Sequence, residues 1–147
     1  MTNSRAKGAR GEREAAKVLT KWTGIEWRRG IQQTRHGGAE GADVEPAESH
    51  TYWSRLHIEV KRGARIDVVA AWRQAARDAE KRGLVPIVLF RADYRKWLVC
   101  LDVRDAPRLV DGLQAPNLGT LTTPLRVELL AAEFFRALAD RVANVDA

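Results

Sequence analysis

Between Trp53 and Arg62 the chain alternates in character: Leu56, Ile58 and Val60 interleave with His57, Glu59 and Lys61. A period of two places each set on its own face of an extended strand. The stretch therefore predicts a half-buried strand with one face on a core and an acid and an amine on the other. Leu84 to Phe90 is almost wholly apolar and reads as a central strand buried on both faces. Pro86 fits there only near the strand start. Trp97 to Val103 follows as its hairpin partner across residues 92–95. Two strong strands with periodic segments around them predict α/β architecture, a mixed β-sheet flanked by helices.

The flanking segments read as follows. Residues 8–22 predict a helix, with Ala15, Val18, Leu19 and Trp22 on one stripe and Gly24 as the stop. Ile25–Arg29 and Ala42–Glu45 are short strand candidates, the second ended by Pro46. Residues 30–41 hold four glycines and read as a mobile loop. Residues 68–82 predict a helix lined by Val68, Trp72, Ala75, Ala76 and Ala79, capped by Asp67 and ended by Gly83. Residues 104–124 read as loop, and Leu129–Val142 as a closing helix. A chain of 147 residues fits one domain, 1–147, with a core that needs no staples.

Composition excludes several classes. One cysteine, Cys100, rules out an intramolecular disulfide. It sits in an apolar run and reads as a small buried hydrophobe. The polar, basic N-terminus lacks an apolar stretch after it. No run approaches the roughly 18 apolar residues of a membrane span. The expected location is therefore cytoplasmic, the host cytoplasm for a phage-encoded chain. Net charge is +6. Residues 1–35 carry nine Lys/Arg and three acids, so the whole excess lies there; the remaining residues carry sixteen of each. A localised positive field suits a polyanion, although a solvated basic face with no partner would look the same.

Glu59 and Lys61 share a strand face. Such a pair is either a solvent-facing charge pattern or a metal-holding carboxylate beside a lysine that orients or deprotonates a water. Asp43 lies at the end of the glycine-rich loop, where a strand–turn–strand path can bring it beside Glu59. A hard cation such as Mg²⁺ needs only two or three carboxylates because it keeps several waters. Asp43 as an ordinary turn residue is the alternative. Glu12 is the third acid. At about 100° per residue it falls inside the apolar stripe of the first helix, where a carboxylate is costly unless paired or metal-bound. Arg13 falls on the opposite side. Glu14 falls at the stripe's edge and reads as an ordinary surface acid. Acids are also favoured in a first helical turn, which would account for Glu12 without a site.

Lys7-Gly8-Ala9-Arg10-Gly11-Glu12-Arg13-Glu14 followed by Ala15-Ala16-Lys17-Val18-Leu19, and His57-Ile58-Glu59-Val60-Lys61, resemble two motifs of the PD-(D/E)XK nuclease superfamily. More narrowly they are similar to the archaeal-type Holliday junction resolvases, which also occur in phages. Asp43 falls where the superfamily's first aspartate belongs. The likeness spans roughly residues 5–90. It implies a restriction-endonuclease-like fold and a structure-specific DNA endonuclease that resolves four-way junctions by symmetric nicking. In that reading Asp43, Glu59 and the Val60 carbonyl bind Mg²⁺, with Mn²⁺ able to substitute. Glu12 reaches the ion directly or through water, and Lys61 positions the attacking water. Arg13 and Arg28 or Arg29 contact phosphates, and Lys7, Arg10, Arg35, His36 and Arg62 complete the expected DNA-binding set. The active unit is a homodimer, because two-fold symmetry matches two symmetric nicks. Phe134 and Phe135 are the expected interface, as adjacent aromatics do not share one narrow helix stripe.

The chain departs from the pattern in two places. Ala42 stands where the pattern has proline, and the loop Thr34–Gly41 has no serine where such resolvases carry Ser-Gly. His36 and Thr34 are the candidates for that contact. Glu40 competes with Asp43 as a ligand. His57 shares the Glu59 face but is read as a polar strand residue, since Mg²⁺ sites rarely recruit imidazole. Two other functions stay open: another DNA-processing nuclease of the superfamily, and a DNA-binding protein without catalysis.

Overall fold

The computed structural model describes residues 4–30, 41–105 and 126–145. Helix α1 (Ser4–Thr23) leads into strands β1 (Trp27–Arg29) and β2 (Val44–Pro46). A 3-10 turn (Trp53–Arg55) precedes β3 (Leu56–Gly63), and α2 (Val68–Arg82) joins β3 to β4 (Val85–Ala92). Then come β5 (Leu98–Asp102), a second 3-10 turn (Val103–Asp105), β6 (Arg126–Leu130) and α3 (Ala131–Val145). The six strands lie in chain order. β3 and β4 are parallel, joined by the α2 crossover, and every other neighbouring pair is antiparallel. This is the expected mixed sheet flanked by helices.

Alternation along the strands sorts the core into two layers. Ile58, Val60, Ile87, Leu89, Val99 and Leu101 pack with Ala15 and Leu19 of α1 and with Phe135 and Leu138 of α3. Val88, Phe90 and Cys100 pack on the other side with Ala71 and Ala75 of α2. α1 approaches β3 closely: a Cβ on Gly11 would lie 3.3 Å from the Arg62 Cβ. Asp67 caps α2 as expected, accepting from the Ala70 N–H at 3.0 Å, and Gly83 closes it. Pro86 is the second residue of β4, where its missing N–H is tolerated. At the end of β5, burial pushes the Asp102 carboxyl up, but hydrogen bonds from the side chain and backbone of Arg104 outweigh it and leave it below the usual carboxylate range. No helix of the described residues is long and apolar enough to cross a membrane.

Four expectations need correction. Trp53–Arg55 is a 3-10 turn, not the start of β3; it seats the Trp53 ring edge-on to Trp27 and Tyr52, buried in the core. β3 is not half-buried. His57 and Glu59, on the supposed exposed face, are 0% and 5% accessible, because the α2 crossover brings a helix over that face. The closing helix begins at Ala131, and the residues before it form the edge strand β6 beside β5. Phe135 is fully buried, with its ring against Trp22, Trp53 and Phe134, and Phe134 packs on the same core. Two adjacent aromatics therefore do share one helix's core side, and neither is left over for a partner. Most of the expected 104–124 loop lies outside the described residues.

Candidate active site

Asp43 immediately precedes β2 and is held from three directions. Its N–H donates to the Ile58 carbonyl at 3.0 Å. Its carbonyl accepts from the Gly30 N–H at 2.9 Å. Its Oδ2 accepts from the Val60 N–H at 2.7 Å. Gly30 is required at that contact, since a Cβ there would sit 2.0 Å from the Ala42 carbonyl oxygen. The antiparallel pair Val44–Ile58 puts Asp43 opposite Glu59 one step along, on the same side of the sheet. Both carboxylates are buried, at 6% and 5% accessible. Lys61, two residues on, places its Nζ 3.5 Å from Glu59 Oε1 while 40% of its side chain stays accessible. The strand spacing thus brings together three of the expected residues: two desolvated acids and an amine at their edge.

Glu12 is differently placed. It lies on α1, the helix covering the opposite face of β3, and its Oε2 accepts from Arg29 Nε at 2.6 Å. The acid on the apolar stripe is therefore paired with a guanidinium from β1. Glu14 is not the ordinary surface acid expected. It joins α1 to two strands, with Oε2 2.8 Å from Arg62 Nε and Oε1 bonded to Arg91. The edge of the stripe points at the ends of β3 and β4, where those arginines emerge.

The expected DNA contacts divide into two groups. Arg28 pairs with Glu45, Arg29 with Glu12, and Arg62 with Glu14 and Asp93. Lys7, Arg10 and Arg13 are exposed on α1, and Lys17 and Lys21 extend the row along the same helix. At about 100° per residue these five side chains fall within an arc of about 120°, a continuous basic stripe. Arg35 and His36, with Thr34 and Glu40, lie outside the described residues.

Three features escaped the sequence reading. A cavity of about 290 Å³ opens beside Lys61, lined by Arg62 and Arg65 and by the start of α2 through Asp67, Ala70 and Gln74. Asp78 of α2 is buried at 8% accessibility. The carboxylate of Asp78, that of Glu59 and the imidazole of His57 each offer a ligand atom within 4.8 Å of the others. Asp78 follows Ala71 and Ala75 at the helical core spacing, so the wheel test that singled out Glu12 would have found it on α2.

Residues 3–128 match the family described as "Phage putative PDDEXK endonuclease", a span that holds every candidate catalytic residue. Protein D14 of Escherichia phage T5 is 29% identical over 130 residues, covering 77% of this chain and 78% of that protein. Among solved structures, Hjc of Archaeoglobus fulgidus, a Holliday junction resolvase from an archaeal hyperthermophile, is similar with a TM-score of 0.49 and 19% identity. That alignment covers 88% of this chain and 95% of the other.

The two acids of α1 predict a stability difference. Glu14→Gln takes the charged acceptor from two guanidinium groups and should cost about 1–2 kcal/mol in a urea melt. Glu12→Gln removes one such bond and should cost less. A wild-type midpoint for Glu14→Gln would contradict its role as a tether between helix and sheet.

Proposed function

Because the chain belongs to the phage PDDEXK endonuclease family, we propose that it is a divalent-cation-dependent DNA endonuclease that nicks four-way junctions symmetrically as a homodimer. The observation that carries the catalytic part is the pair of buried carboxylates, Asp43 and Glu59, set opposite each other on neighbouring strands with Lys61 at their edge. Two buried carboxylates are costly without compensation. Lys61 offers one contact to Glu59 at a distance longer than a good hydrogen bond. An all-oxygen donor set of this kind fits Mg²⁺, and Mn²⁺ by substitution.

Asp43, Glu59 and the Val60 carbonyl would hold the ion. When bound, such an ion lowers the pKa of a water and offsets charge on the scissile phosphate. Lys61, with its partly accessible amine, orients the attacking water toward the phosphate. Glu12 is a fourth acid acting through water from the rim, with Arg29 fixing its carboxylate. The exposed stripe Lys7, Arg10, Arg13, Lys17 and Lys21 supplies the phosphate contacts that set register on DNA. Arg28, Arg29, Arg62, Arg35 and His36 are assigned secondary contacts. The place of action is the host cytoplasm.

Nicking assays on a four-way junction, a linear duplex of the same sequence and single-stranded DNA test this reading. The wild type is expected to cut the junction in Mg²⁺ or Mn²⁺ and not in a chelator. Asp43→Asn and Glu59→Gln should each lose at least about a hundredfold in rate while still binding DNA, since each removes a ligand charge and little volume. Either variant cutting at the wild-type rate overturns the metal assignment. Equal cutting of junction and duplex makes the chain a general DNA-processing nuclease, and binding without cutting makes it a non-catalytic DNA-binding protein.

Affinity provides a separate check. Replacing Arg10, Arg13 and Lys17 by Gln should reduce the slope of log K against log salt by roughly two, as fewer counterions are released. An unchanged slope would mean that the α1 stripe faces away from DNA.

A further inference from the structure

His57 is fully buried, and neither of its ring nitrogens has a hydrogen-bond partner among the described residues. A buried polar side chain left unsatisfied costs on the order of 1–3 kcal/mol, so its surroundings call for a physical account. Those surroundings are two buried carboxylates. Glu59 Oε2 lies 3.8 Å from His57 Nε2, too far for a hydrogen bond, and Asp78 enters from α2. The two oxygens of Glu59 face different neighbours: Oε1 is the one near Lys61, and Oε2 the one near His57.

We propose that His57, Glu59 and Asp78 form a second divalent-cation site, between β3 and α2, that takes a borderline ion such as Zn²⁺ in preference to Mg²⁺. It lies beyond the Asp43–Glu59 pair proposed above and shares only Glu59 with it. One imidazole and two carboxylates are a donor set that Zn²⁺ accepts and Mg²⁺ disfavours. Ligands around a tetrahedral ion with bonds of about 2.1 Å stand roughly 3.4 Å apart, so the three donors, now within 4.8 Å of one another, close on it with shifts of about 1 Å. Three protein ligands leave a fourth position for water. The ion would relieve two buried negative charges and the orphaned imidazole together. An imidazolium held by the two acids is the competing arrangement, and it would draw its N–H groups to within about 2.9 Å of the oxygens. Ala71 and Gln74 line the cavity beside Lys61 and precede Asp78 on the same side of α2, so the cavity offers the ion a route inward.

The chain has three histidines, so imidazole ¹⁵N resonances report His57 cleanly. With excess Mg²⁺ present, one equivalent of Zn²⁺ is expected to shift the His57 ring signals in wild type and in Asp43→Asn. Asp78→Asn should weaken that binding more than roughly tenfold while Mg²⁺-dependent nicking is kept. Should Asp78→Asn not fold, the visible spectrum of Co²⁺ added to the wild-type chain serves instead: a four- or five-coordinate band is expected. His57 signals that ignore saturating Zn²⁺, or a purely octahedral Co²⁺ spectrum, would overturn the proposal. So would a Zn²⁺ shift that disappears in Asp43→Asn and persists in Asp78→Asn, because the ion would then sit at the other pair. An active Asp43→Asn would defeat the reading of catalysis and leave this site untouched.

Discussion

The hydrogen bond from the Val60 N–H to Asp43 Oδ2 is the interaction on which the site depends. β3 is an interior strand, and its N–H groups on the β2 side would ordinarily go to backbone carbonyls. Here a side chain takes that place in the ladder. β2 is only three residues long, so few ladder bonds hold it to β3. The Asp43 carboxylate therefore joins two strands and is itself oriented by the joint. The Gly30 N–H fixes the same residue from the end of β1, and the lack of a Cβ on Gly30 lets the two backbones meet. A buried carboxylate bound in this way loses side-chain freedom before any ligand arrives, which lowers the ordering cost of binding.

Placement of the acids follows from which helix covers which face. α1 and α3 lie on the Ile58–Val60 side of the sheet, and α2 on the Glu59 side. The crossover that makes β3 and β4 parallel thus also desolvates Glu59 and His57. A charge so enclosed interacts more strongly with a cation than one in water. The basic stripe of α1 stays in solvent, where its field is long-ranged at low salt and suited to attracting a polyanion. Chemistry and attraction are separated onto different elements of the fold.

Much of this was legible from local pattern. The period of two in β3 named Glu59 and Lys61 as face partners, and the caps of α2 were readable from Asp67 and Gly83. What periodicity does not contain is cover: it says which side chains share a face, not whether a helix lies over them. Hence β3 was expected to be half-exposed, and the burial of His57 was missed with it. Glu14 was misread because a wheel shows direction from its own helix and not the arginines waiting on β3 and β4. β6 was missed because Leu129 and Leu130 run without a break into the apolar face of α3. Asp43 stood out through its place after the glycine-rich loop, but its bond to the Val60 N–H is a tertiary fact that no local signal carries.

The central claim is that Asp43 and Glu59 jointly hold a divalent ion. Anomalous diffraction from crystals soaked in Mn²⁺ tests it most directly, since it locates the ion without reference to activity. The account predicts a peak within bonding distance of the Asp43 and Glu59 carboxylates and the Val60 carbonyl, absent from Asp43→Asn crystals. Manganese that binds elsewhere and leaves Asp43 with only its backbone partner would contradict it.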